Sequence, residues 1–98
     1  MSYGRVMGLN ITDDQSYSLY REAMTPILKR FGGSFGYDFK IAEVLKSRTK
    51  NKINRVFTIE FPSETEMNRF FNDPAYIEIK NIYFDQSVDA RTVIATYE

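Results

Sequence analysis

The sequence predicts one α+β domain with the element order βαββαβ. Two kinds of pattern carry this prediction: apolar residues that alternate with period two in four segments, and apolar residues at steps of three and four in the segments between them. A third observation sets the scale. With 98 residues and 43% hydrophobic content, the chain suits a single core spanning residues 1–98.

The first strand is expected at Tyr3–Ile11, where Arg5, Met7, Leu9 and Ile11 alternate with Gly4, Val6, Gly8 and Asn10. Its two glycines weaken the pattern. Asp13 can cap a following helix, with Thr12 and Gln15 as an alternative box one residue earlier. In that helix Tyr17, Tyr20, Met24, Ile27, Leu28 and Phe31 form one stripe, and Ser18, Arg21, Glu22, Lys29 and Arg30 are left mostly to water. Pro26 predicts a kink or break around residues 22–26. Gly32 and Gly33 supply a left-handed helix stop.

The second strand covers 35–41, with Phe35, Tyr37, Phe39 and Ile41 on one aromatic face, and the apolar phase slips at Glu43, Val44 and Leu45. A polar stretch with five positive charges, Lys46, Lys50, Lys52, Arg48 and Arg55, reads as a hairpin loop. The third strand covers 56–61, with Phe57, Ile59 and Phe61 opposite Val56, Thr58 and Glu60. Pro62 ends it. Ser63 and Glu66 then form a capping box for a short helix burying Met67, Phe70 and Phe71, and Asp73 followed by Pro74 opens a second piece carrying Tyr76, Ile79, Ile82 and Tyr83. The last strand covers 91–97, alternating Thr92, Ile94 and Thr96 with Val93, Ala95 and Tyr97.

Split crossovers on both sides of the central hairpin give an antiparallel four-stranded sheet with all helices on one face, the ferredoxin-like arrangement. The other face of the sheet has no helix to cover it. A partner or ligand is expected there.

Composition excludes several functions. Thirteen basic and thirteen acidic residues cancel, so no global field draws the chain to nucleic acid or to a membrane surface, and neither is expected as a partner. No apolar run approaches the roughly 20 residues of a membrane span, and no basic-then-apolar start predicts a signal sequence, so a cytoplasmic location is expected. Cysteine is absent, which fits the reducing cytoplasm, and histidine is absent too. The usual ligands for zinc, copper and haem are therefore missing, and no resident metal or cofactor is expected. Any catalysis would fall to carboxylates, tyrosines, lysines or a cofactor from outside.

The run Asp13, Tyr17 and Tyr20, the helix end Phe31-Gly32-Gly33, the corner from Ile59 to Ser63, and Asp73-Pro74-Ala75-Tyr76 ahead of Lys80 resemble the domain of unknown function numbered thirteen-thirty. The resemblance covers nearly the whole chain. It implies a homodimer, in which two ferredoxin-like units join through their sheets as a dimeric α/β barrel, a scaffold shared with small monooxygenases, dehalogenating enzymes and stress-related binding proteins. It implies no activity. Asp14, Asp38 and Tyr83 depart from the family pattern, the last two standing where basic residues are frequent.

Four residues are candidates for ligand binding: Tyr20, Glu60, Tyr76 and Tyr83. The tyrosines are explained by amphipathic core positions with hydroxyls at the rim; the sharper reading sets Tyr20, Tyr76 and Tyr83 around a small-molecule cleft between helices and sheet. Glu60 lies opposite the Phe57, Ile59 and Phe61 row, so it points into a barrel or dimer interface, where burial would raise its pKa, or else pairs in solvent with a cation such as Arg5. The basic loop could contact phosphates, but 54–61 lacks the Gly-aromatic-Gly pattern of an RNA-recognition module, and a solvated hairpin tip accounts for it. The sequence thus points to a small-molecule-binding homodimer. The other classes it leaves open are a cofactor-independent enzyme of the small monooxygenase type and a purely structural module.

Overall fold

In the computed structural model, which describes residues 2–98, the β1 strand spans Tyr3–Ile11, β2 Ser34–Lys40, β3 Arg55–Phe61 and β4 Val88–Tyr97. The α1 helix spans Asp14–Arg30, α2 Glu64–Phe71 and α3 Pro74–Ile79; α3 continues through a π-helical turn, Lys80–Phe84, into a last helical turn at Asp85–Ser87. The sheet order is β2-β3-β1-β4 and every neighbouring pair is antiparallel. This is the expected ferredoxin-like α+β fold. Among the described residues no helix is long and apolar enough to cross a membrane.

The caps work as their chemistry requires. The Asp13 carboxylate accepts from the Ser16 amide at 3.1 Å, and Asp73 accepts from the amides of Ala75 at 2.9 Å and Tyr76 at 3.2 Å. The Ser63 hydroxyl accepts from the Glu66 amide at 3.2 Å, but the Glu66 carboxylate turns to Arg69 at 2.9 Å, so only half of the box forms. At the other end of α1, Gly32 takes φ +74, and the amides of Gly33 and Gly32 donate to the carbonyls of Leu28 and Lys29. That is the Schellman pattern, which a residue with a Cβ would strain. The expected break at Pro26 does not occur. Pro26 and Glu22 both lie on the exposed side of an unbroken helix, so water can take the carbonyl that Pro26 leaves without a donor.

The core lies between the sheet and the helices. Leu9, Phe61, Tyr17, Met24, Leu28, Met67 and Phe70 are all 2% exposed or less. Phe70 is its centre, with ring centroids 4.4 Å from Tyr76, 5.0 Å from Phe71 and 5.6 Å from Phe61.

Two strand expectations and one helix expectation need correction, each for a local reason. A bulge in β2 lets Phe35 pair with Ile59 and Asp38 with Phe57, so Phe35 turns to the helices while Tyr37 and Phe39 stack on the uncovered face at 5.8 Å. The aromatic row predicted for one face is thus divided between two. A second irregularity, between Val6 and Met7, pairs Val6 with Ala95 and Met7 with Val93, which puts Thr92 and Thr96 on opposite faces. Ile94 is the extra residue there, and it is 48% exposed. The π-helical turn rotates Ile82 outward to 47% exposure and brings Phe84 to 5.1 Å from the Tyr20 ring.

The β1 glycines have a packing role. A Cβ on Gly4 would collide with the Tyr97 ring, and one on Gly8 would come within 2.9 Å of the Ile53 side chain. Tyr97 and Ile53 therefore lie directly over the strand on the face without helices.

Capping and packing separate cleanly in a melting experiment. Asp73→Ala should cost about 1 kcal/mol and lower the melting temperature by roughly 4–8 °C. Phe70→Ala, which empties the middle of the core, should cost about 3–5 kcal/mol. Equal losses from the two would contradict the arrangement described.

Candidate functional site

A cleft opens between the sheet floor and the helices, enclosing a cavity of about 270 Å³. Its floor is Met7 and Leu9 of β1 with Phe57 and Ile59 of β3; Met24, Phe71 and Phe84 close it from the helical side. The polar groups on its wall are Tyr17, Tyr20, Tyr76 and Asn68 together with Arg5, Arg21, Arg91 and Lys80.

Tyr20 reaches the cavity because it lies one helical turn beyond Tyr17 on the stripe of α1 that faces the sheet. Tyr76 reaches it because Asp73 and Pro74 start α3 at that point. Their hydroxyl oxygens lie 2.8 Å apart in a buried hydrogen bond. One hydroxyl donates to the other, and the accepting one keeps its own proton for a further partner. Burial pushes the pKa of Tyr20 well up, with the neighbouring Tyr76 adding to the shift. Tyr76 and Tyr17 are also raised, in both cases chiefly by burial, although Arg21 pulls Tyr17 back. At neutral pH these phenols are therefore neutral hydrogen-bond donors rather than bases.

The four sequence candidates fall in different places. Tyr20 and Tyr76 meet in the cleft. Tyr83 is half-buried against the core but does not line the cavity. Glu60 lies on the opposite side of the sheet, because register pairs it with Gly4, and there it accepts a hydrogen bond from the Tyr97 hydroxyl at 2.7 Å. The suggested Glu60–Arg5 pair cannot form: Arg5 pairs in register with Ile59 and faces the helices.

The arginines are what the sequence reading missed. Arg21, assigned to water, has a side chain only 17% exposed. Its Nε donates to the Tyr17 hydroxyl at 2.8 Å, and its guanidinium carbon lies 3.8 Å from the Phe35 ring centroid and 4.7 Å from that of Phe57. The signal was its position four residues after Tyr17, one turn along the same helix. For Arg5 the signal was a charge standing in the core-facing row of β1. Asp38 lies outside the cavity lining, where Arg55 grips it at 2.7 and 2.8 Å and Arg21 approaches to 3.3 Å. The hydrogen bonds from Arg55 and the nearby charge of Arg21 hold its carboxyl below the usual range.

Fold and cleft together define a ferredoxin-like α+β protein with a partly open cleft between its two layers. The chain belongs to the family described as Domain of unknown function (DUF1330), matched over residues 5–97. Among solved structures it is similar to RPA0582, a protein of unknown function from Rhodopseudomonas palustris, at 17% identity over 98% of this chain and 80% of that one, with a TM-score of 0.82. A dimeric ferredoxin-like protein of unknown function from Bacteroides fragilis matches at 11% identity and a TM-score of 0.55, covering 99% of this chain and 95% of that one. SnoaB, a cofactor-independent oxygenase from Streptomyces nogalater, matches at 10% identity and a TM-score of 0.63, covering 99% and 91%. No curated protein matches the chain.

The raised phenols predict how stability responds to alkali. A tyrosine whose folded pKa lies above its unfolded value stabilises the fold fully below about pH 10, and that stability is lost as pH rises beyond it, because the unfolded chain ionises first. An ultraviolet titration should show Tyr17, Tyr20 and Tyr76 ionising later than the exposed phenols, together with unfolding. All seven tyrosines ionising together near pH 10 with the fold intact would contradict their burial.

Proposed function

We propose that the chain is a cytoplasmic homodimer that binds a small organic molecule in the cleft between helices and sheet. The observation that carries the reading is the 270 Å³ cavity itself, with an apolar floor and paired tyrosine hydroxyls at one place on its wall. A domain made only to present a sheet face would gain stability by packing that space shut. A few fixed polar groups on an apolar lining are the usual make-up of a ligand site, and the volume suits a molecule smaller than a drug. Tyr20 and Tyr76 would orient the ligand, and Tyr83 would support them from the core.

The homodimer is supported by the exposed stack of Tyr37 and Phe39, 66% and 51% exposed on the face without helices, and by the dimeric relative of the same fold. In that arrangement Glu60 and Tyr97 belong to the interface. A second reading, an oxygenase without a cofactor, draws on the fold shared with SnoaB and on a cavity whose phenols are withdrawn from water.

A thermal-shift screen of small aromatic and aliphatic metabolites tests the cleft. At a ligand concentration a hundred times its dissociation constant the fold should gain about 2.7 kcal/mol, and Met24→Trp, which fills the cavity, should abolish the gain. No shift with any compound would remove the cleft reading, and oxygen uptake on adding a bound compound would favour the oxygenase. Light scattering at tens of micromolar should give twice the chain mass. Glu60→Gln should weaken that association more than Glu64→Gln does; a monomer in the unaltered protein would end the dimer proposal.

A further inference from the structure

With the cleft taken as a small-molecule site, the charges on its wall narrow the ligand. Arg5, Arg21, Arg91 and Lys80 line the cavity, and no aspartate or glutamate does. In a chain whose formal charges cancel, this is a marked local excess of positive charge.

The partners of these cations differ. Lys80 is taken by Asp85 at 3.0 Å. Arg21 spends its Nε on the Tyr17 hydroxyl and its Nη1 on Asp38, and its Nη2 is buried without a partner. Among the described residues, the side chain of Arg5 makes no hydrogen bond or ion pair, and its Nε is buried as well. A buried donor left unmade costs about 1–3 kcal/mol, and more where it carries charge. Such groups are rare in folded proteins. The Nε of Arg5 and the Nη2 of Arg21 are the buried side-chain atoms in this condition among the described residues, and both of their residues line the same cavity.

Their placement is coherent. Arg5, Ile59 and Phe35 form one cross-strand row, since Arg5 pairs with Ile59 and Ile59 with Phe35. Arg21 stacks on Phe35 at one end of that row, and the guanidinium of Arg5, at the other end, lies 5.9 Å from the Phe71 ring. Each cation thus has an aromatic neighbour and a nitrogen that no protein atom accepts from, and guanidinium edges of this kind match the two oxygens of a carboxylate once the side chains turn toward it. The tyrosine pair adds an O–H donor. The rest of the lining is thioether, aliphatic and aromatic. A cavity of about 150 Å³ admits benzene, so 270 Å³ admits one ring with an acid side chain or a small fused ring.

We propose that the cleft binds a small, flat organic anion, an aromatic or conjugated carboxylate, with its acid group held by Arg5 and Arg21 and its apolar body on the Met7, Leu9, Phe57 and Ile59 floor. The proposal rests on the cleft reading above but is separable from it by experiment.

Titration calorimetry on the full chain would compare benzoate, cinnamate and 2-naphthoate with their neutral amides. At least one acid should bind at least tenfold more tightly than its amide, the difference that one charge-assisted hydrogen bond supplies. Arg5→Met should weaken the acid about tenfold and leave the amide nearly unchanged, without lowering the melting temperature of the free protein, since it replaces a half-buried side chain whose Nε is unmet with a flexible apolar chain. The comparison of acid with amide in the unaltered protein needs no variant, so it stands even if Arg5→Met does not fold. Acid and amide binding equally would overturn the anion and leave the cleft as a site; neither binding would overturn both.

Discussion

The structure depends on a two-residue period along one strand. β1 pairs with both β3 and β4, so its alternation divides the whole sheet into a side that meets the helices and a side that does not. Met7, Leu9 and Ile11 enter the core, and Arg5, in the same row, is carried to the cleft with them. A slip of one residue would exchange that row for Gly4, Val6, Gly8 and Asn10, and would lose core and cleft together. The same register sets Glu60 and Arg5 on opposite sides, although they come from adjacent strands.

Much of this was legible beforehand. Strong local signals settle their own positions: Asp13, Ser63 and Asp73 as caps, Gly32 as a stop, and the alternation of β1 and β3. What escaped were places where one residue is added to a regular repeat. The bulge in β2 moved Phe35 away from Tyr37 and Phe39, the irregularity in β4 parted Thr92 from Thr96, and the π-helical turn exchanged Ile82 for Phe84. A period read along one segment has no access to these, because each is decided by a neighbouring strand or helix. The site was legible to the same degree. Tyr20 and Tyr76 follow from a helix stripe and a cap, whereas Arg21 looked solvated because its surroundings come from β2 and β3.

The cleft also shows how a small fold tolerates groups that do not favour folding. Among the described residues, two guanidinium nitrogens go unmet on arginines that line the space the core leaves unfilled. Around them, Phe70 and its aromatic neighbours supply dense packing, and Asp38 ties Arg21 and Arg55 together from outside the cavity. The unfavourable elements are thus gathered in one region, as is usual where local rules give way to a site.

On the far side of the sheet, the absence of a side chain at Gly4 and Gly8 has a further effect. Tyr97, from the end of the chain, and Ile53, from the long loop, drop into the two vacancies and roof the middle of the sheet with the protein's own atoms. The surface left over is therefore not a flat plane. Its middle is occupied by Tyr97 and Ile53, while Tyr37 and Phe39 stand exposed on the edge strand β2, so a flat partner laid across β1 would meet those two side chains first.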